Sequence, residues 1–372
     1  MQLATLANVR NRIRLGEPLP FDVHDADRTL LLARGQRLQD QGQLDALMNR
    51  GALVDLDQVQ SARERAQHAP REQLPQIWAD TVDRLGDVLA QARTETFAAA
   101  LEESVAPALT LVERDPDLAI FQVLSQASGA DTAYGVRRSL HSAITACLVA
   151  QRLAWQGSDV ERAFKVALTM NLSMLALQGE LSRQRTPPTP EQRLALQSHP
   201  MRSVQMLQRA GVHDADWLRA VLQHHEVEDG SGYPSGRSDV CELASLARRA
   251  DIYTSKLAAR STRDAMAADA AGRAIFMQDP SHPMTQALVK EFGIYPPGCL
   301  VRLGSGEAAV VVKRGPTVTT PVVACFTDAG DRTLARPYRV ATSEPGRGIV
   351  ALLHPCSTPA PAAVLAAAMQ GD

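Results

Sequence analysis

Between residues 116 and 282 nearly every stretch of the chain carries apolar residues three and four positions apart, and none alternates as a strand would. "LHSAITACLVAQRLAW", "RAFKVALTMNLSMLALQGEL", "TPEQRLALQSHPMRSVQMLQRAG" and "DADWLRAVLQHH" each present one apolar stripe. Helices in such a run can bury their stripes only against one another, so a bundle core is expected. The stops are written in the chemistry. Thr189 with Pro190 and Glu191 opens the third helix, and Gly211 closes it. Asp214, in "AGVHDADWL", is expected to cap the fourth.

The flanks read differently. Residues 1–60 form a small mixed α/β module, with short strands in "PLPFDVHD", "RTLLLARG" and "ALVDLD" around a helix in "QGQLDALMNRG". Residues 61–117 read as a helical connector, in which Trp78, Val82, Leu85 and Leu89 make one stripe. That stripe suits either packing on its own domain or a homodimer contact. The bundle is placed at 118–285. Valine-rich alternation divided by Gly and Pro follows, a small β module at 286–345 with Gly304 and Gly306 flanking a hairpin turn. Residues 346–372 are expected to be a tail. The fold class is thus mainly α, with a small module at each end. A length of 372 residues exceeds what one core usually serves, which fits this division.

Composition excludes several functions. The net charge of -2 supplies no field for DNA, RNA or an anionic membrane, and 4% aromatic residues is poor for stacking single-stranded bases. The five cysteines are odd in number, far apart and without a C-x-x-C pair, which argues against a disulfide scaffold or zinc finger. No apolar stretch approaches the roughly 20 residues needed to span a bilayer. The first 20 residues lack the apolar core of a signal peptide. A cytoplasmic location is expected.

The bundle region concentrates polar chemistry. "LQHHEVEDGSGYPSG" sets His224 and His225 beside acidic residues and a stiffened turn, and His141, His199 and Asp251 lie elsewhere in the same region. Imidazole nitrogens with a carboxylate oxygen suit a borderline divalent ion such as iron, manganese or zinc. Separations this wide require facing helices to assemble the site. Taken singly, each histidine is more often a structural residue than a ligand.

"HHEVEDGSGYPSG" resembles the signature of the HD-GYP family, a branch of the HD metal-dependent phosphohydrolases. His224, His225, Glu226, Asp229, Gly230, Gly232, Tyr233, Pro234 and Gly236 all stand where that signature has them. The resemblance covers about residues 118–285 and implies an HD-type helical core. It also implies hydrolysis of cyclic di-GMP, a bacterial second messenger. His141, His199, His224, His225 and Asp251 become metal ligands by this resemblance. Asp229, Gly232, Tyr233 and Pro234 become ligand- or partner-binding loop residues, and Arg260 and Arg263 in "ARSTR" become phosphate-binding cations.

The pattern breaks at its name. Aligning "VALTMNLSMLALQ" to the helix that carries the family's His-Asp pair and following lysine puts Met170, Asn171 and Met174 at those positions. An amide oxygen cannot bridge two cations as a carboxylate does, and a thioether is a poor ligand for hard or borderline ions. No histidine lies between His141 and His199 to rescue the alignment. One divalent ion, or none, is expected. The reading favoured is a degenerate HD-GYP protein that binds cyclic di-GMP, a related cyclic dinucleotide or a diguanylate cyclase-type domain through the GYP loop. The alternatives are a phosphodiesterase with unusual ligation and a scaffold that binds no nucleotide.

Overall fold

The structure is a computed structural model that describes residues 3–55, 61–92, 94–124 and 134–353. Two compact units, Met1–Ala69 and Pro70–Asp372, divide the chain. The expected tail from residue 354 onward, including Cys356, lies outside the described residues.

The first unit holds four short strands, β1 (Leu3–Thr5), β2 (Val23–His24), β3 (Leu30–Leu32) and β4 (Leu53–Asp55). They form an antiparallel sheet in the order β1-β4-β2-β3. Helix α1 (Gln41–Asn49) starts where the Asp40 carboxylate accepts the Gln43 amide, and its Leu44 joins Leu6, Phe21, Val23 and Val54 in the core. Helix α2 (Ala62–His68) opens with a Ser61–Glu64 capping box. The compact division therefore assigns α2 to the first unit, although its charged sequence reads as the start of the connector.

In the second unit α3 (Leu74–Ala90) and α4 (Phe97–Arg114) pack on each other and bury Trp78, Leu85 and Leu89. The apolar stripe of the connector is thus spent inside the chain. Helix α5 (Pro116–Leu124) follows, then α6 (Tyr134–Arg152), whose apolar residues are covered by α7 (Gly157–Thr169) and α11 (Glu242–Leu257). A 3-10 turn at Leu172–Met174 leads into α8 (Leu175–Arg183). Gly135 lets α6 approach α8, because a Cβ there would lie 2.3 Å from the Leu175 carbonyl oxygen. Helix α9 (Pro190–Arg209) begins with a Thr189–Gln192 capping box and has Pro200 inside it. Helix α10 (Ala215–Gln223) is capped by Asp214, which accepts the Asp216 and Trp217 amides, as its position before the apolar run predicts. Helices α12 (Ala268–Gln278) and α13 (Pro283–Phe292) close the bundle.

The β module comprises β5 (Leu300–Leu303), β6 (Ala308–Lys313), β7 (Val322–Thr327), β8 (Thr333–Ala341) and β9 (Ile349–Leu353). All pairings are antiparallel, in the order β8-β7-β6-β5-β9. The run of valines in β6 and β7 has a simple cause: both faces of the sheet are covered. Leu300, Val310 and Phe326 pack with Phe121 of α5, while Val301, Val311 and Cys325 pack on the other side. Arg314 fastens the module to the bundle through Asp117 and Glu291. Strand β9 pairs with β5 beyond residue 345, so the module runs further than alternation alone suggests.

Candidate metal pocket

His199, His224 and His225 come together, with one ring nitrogen from each inside a 4.8 Å group. Helix α9 supplies His199, and the end of α10 supplies the adjacent pair. His199 and His224 are buried, and His225 is half-buried.

Two local devices orient these rings. Pro200 has no N–H, so it cannot bond the Leu196 carbonyl as a helical residue four positions on would. The His199 Nδ1 takes that oxygen instead, at 2.6 Å. Helix α10 ends at Gln223, which leaves its last carbonyls without helical partners. The Val221 carbonyl meets His224 Nδ1 at 2.7 Å. A carbonyl only accepts, so both rings donate from Nδ1 and keep their Nε2 lone pairs. Those two Nε2 atoms face each other at 3.0 Å.

Two neutral imidazoles in that arrangement repel. A proton or a cation between the rings resolves the repulsion. Burial, the leading cause, pushes the pKa of His199 down and that of His224 far down, which disfavours the proton. A cation at the usual metal–nitrogen length of about 2.0–2.1 Å holds neighbouring nitrogens roughly 3.0–3.4 Å apart. The pair is spaced for one ion. His225 completes the group as a neutral ring, its pKa pushed to about 3 by burial, then by His199 and Arg248.

The turn after the histidines is built from within. The buried Glu226 carboxylate accepts the backbone amides of Ser235, at 2.7 Å, and Arg237, at 3.0 Å. Asp229 accepts the Ser231 amide, and Gly230 and Gly236 take φ of +78° and +65°. Gly232 lies against the chain so closely that a Cβ would sit 2.5 Å from Glu226 Cα and the His225 oxygen. This closeness stacks Tyr233 on His225, with ring centroids 4.5 Å apart and planes 17° apart. The Tyr233–Pro234 peptide is cis. Glu228 receives the Ser245 hydroxyl and the buried Arg249 guanidinium, which also grips Asp279.

The opposite wall has another character. Met170 and Asn171 are buried where α7 ends, and Met174 closes the 3-10 turn beside them. Asp251, on α11, is near enough for its charge to act on His199 and His224. Its Oδ1 accepts the Arg138 Nη2 at 2.5 Å, with Asn171 Nδ2 at 3.4 Å. His141 is not in the histidine group. It sits half-buried one turn after Arg138 on α6, its pKa pushed to about 3 by burial and then by Arg138 and Arg137. Arg138 is the residue that sequence reasoning missed; the signal available was a basic pair, Arg137–Arg138, on an otherwise buried helix.

Arg260 and Arg263 form a small exposed turn after α11, exchanging backbone bonds of 2.8 and 3.0 Å. Both guanidiniums lean back on Ser255, one turn after Asp251.

Residues 122–277 match the HD domain family. Over 136 residues the chain is 35% identical to the cyclic di-GMP phosphodiesterase PA4108 of Pseudomonas aeruginosa, in an alignment covering 35% of this chain and 33% of that protein. The solved structure of Bd1817, described as an HDG"Y"P protein from Bdellovibrio bacteriovorus, superposes with a TM-score of 0.51. That match covers 78% of this chain and 98% of Bd1817 at 14% identity. Over these residues the helical domain is similar to HD domains, and its fold is that of Bd1817. The chain spans about a third of the length of the curated relative, and the similarity to Bd1817 concerns the fold. Within this helical domain the histidine wall fits one ion. Across from it, Asp251 already accepts Arg138 through Oδ1, which offsets its charge. Among the described residues no helix is long and apolar enough to cross a membrane.

Proposed function

We propose that this chain is a module of cyclic di-GMP signalling that binds the cyclic dinucleotide and turns it over poorly or not at all. The observation that carries this reading is the unequal pocket: three imidazoles grouped on one side, with Met170, Asn171, Met174 and a charge-paired Asp251 on the other. Similarity to a protein named as a cyclic di-GMP phosphodiesterase supports the ligand class. A bound iron, manganese or zinc ion would be held by His199, His224 and His225 and would polarise a phosphoryl oxygen. His141 and Asp251 are left out of that ligand set. Arg260 and Arg263 offer charge-assisted donors to phosphate, and Tyr233 an aromatic edge to a base or a partner's loop. In this reading residues 118–285 bind the nucleotide, and a diguanylate cyclase-type domain would meet them through the GYP loop.

The test is equilibrium binding of cyclic di-GMP to the full chain, repeated for the double substitution Arg260→Ala, Arg263→Ala. Binding that weakens about tenfold or more supports the reading, since charged phosphate contacts are worth about 1.5–3 kcal/mol each. Absence of binding by the unsubstituted chain, with and without manganese, would leave the scaffold alternative. A second reading, hydrolysis with a single ion, is favoured by the facing Nε2 atoms of His199 and His224. It requires a metal-dependent linear product that disappears in His224→Ala.

A further inference from the structure

Arg138 is 5% exposed, yet its guanidinium is spent almost wholly on one residue. Nη2 donates to Asp251 Oδ1 at 2.5 Å and lies 3.3 Å from the Asp251 backbone oxygen. Among the described residues Nε and Nη1 find no partner. An arginine serving stability alone would have those buried donors satisfied, because leaving them unmade is costly. The neighbours explain why the pairing with Asp251 persists. Asn171 approaches the same carboxylate oxygen, and among the described residues its own Oδ1 is without a partner. Its sequence neighbours Met170 and Met174 are buried and offer no charge to Asp251. The carboxylates of the loop after the histidines are engaged elsewhere: Glu226 closes the turn, and Glu228 holds Ser245 and Arg249. Among the described residues, no acidic side chain joins the histidine group.

We propose that Arg138 is a built-in cation that takes up the charge of Asp251, so that the pocket holds at most one divalent ion, on His199, His224 and His225 alone. The charge count supports this. Asp251 and Arg138 cancel, and three neutral imidazoles bring no anion. A second ion beside the guanidinium meets like-charge repulsion in a weakly screened interior, and the carboxylate charge it would need is already offset. Arg138 is thus a positioning residue, setting how many ions the site takes. The inference uses the pocket of the proposed function but not its nucleotide, and failure to bind nucleotide would leave it standing.

The experiment is metal analysis of the full chain, loaded with manganese or zinc and desalted, together with calorimetric titration. One equivalent or fewer is expected for the unsubstituted chain. Arg138→Gln, which keeps a polar side chain but removes the charge, is expected to tighten manganese binding about tenfold or more. Adding Asp251→Asn should cancel that gain. Two equivalents in the unsubstituted chain, or unchanged affinity in a folded Arg138→Gln protein, overturns the proposal. Should Arg138→Gln not fold, a crystal structure of the metal-loaded unsubstituted chain decides. An ion on three imidazoles with the Arg138–Asp251 contact intact supports it, and a metal–Asp251 bond overturns it.

Discussion

The two walls of the pocket are built from helices of the same bundle, yet they are specified in opposite ways. On the histidine wall two of the three rings are held by backbone carbonyls and the third is stacked on Tyr233. Pro200 frees one carbonyl, the end of α10 frees another, and Glu226 and Gly232 fix the turn that stacks Tyr233 on His225. On the facing side Met170 and Met174 are buried, and among the described residues polar atoms of Asn171 and Arg138 are buried without partners. A ligand set demands that each ring be held by a second residue, and that support is seen only on the first wall. The difference teaches that the pocket keeps an ion's seat without the surroundings for a second ion.

The comparison can be broken most directly at its strongest point. His224→Ala is expected to lower affinity for manganese or zinc by more than about a hundredfold, beyond what loss of an outer-shell partner alone produces. Calorimetric titration checks this, with circular dichroism to show that the helices remain. Gly232→Ala is the next largest. Its Cβ would meet backbone at 2.5 Å, and overpacking of that kind costs about 1–3 kcal/mol. A fall of that size in urea unfolding, with a weakened Tyr233–His225 stack, would tie the loop to the histidines.

Pro200→Ala sharpens the claim about tautomers, because its two effects run in opposite directions. A proline inside a helix costs about 3 kcal/mol relative to alanine, so the melting temperature should rise. The new N–H would compete for the Leu196 carbonyl, and metal affinity should fall about tenfold as His199 loses its orientation. A variant stabilised with unaltered metal binding would contradict the role given to Pro200.

The smallest effect concerns acid. The Glu228 carboxyl is pushed up by burial but held lower, at about 2, by Ser245 and Arg249. Its folded pKa lies below its ordinary value, so its contribution is present above the ordinary carboxylate range and is lost as pH falls toward 2. The group is partly exposed, so solvent screens it, and the slope should be shallow. Glu228→Gln is expected to flatten the pH dependence of unfolding over that window while barely changing stability near pH 2.

Legibility in the sequence followed locality. The helical stripes, the Asp214 cap and the Thr189 start are set by residues a few positions apart, and the structure places them accordingly. The loop from His224 to Gly236 is contiguous, so its chemistry could be read from the string itself. Arg138 could not, because its meaning depends on Asp251, 113 positions away, and on the space left by Asn171. His141 fits the histidine pattern in sequence, one turn after Arg138 on α6, and is not one of the three grouped rings. The β9 strand was hidden for a related reason, as its pairing with β5 crosses most of the module.

The central claim is that the pocket retains binding while its second wall cannot support efficient hydrolysis. Cyclic di-GMP should be mixed anaerobically with a near-stoichiometric amount of the ferrous- or manganous-loaded chain, and free nucleotide, bound nucleotide and products separated by chromatography. The expected result is bound, intact cyclic dinucleotide that is recovered after denaturation. Rapid appearance of a linear or mononucleotide product, absent in His224→Ala, would contradict the account and assign full catalysis to the histidine wall.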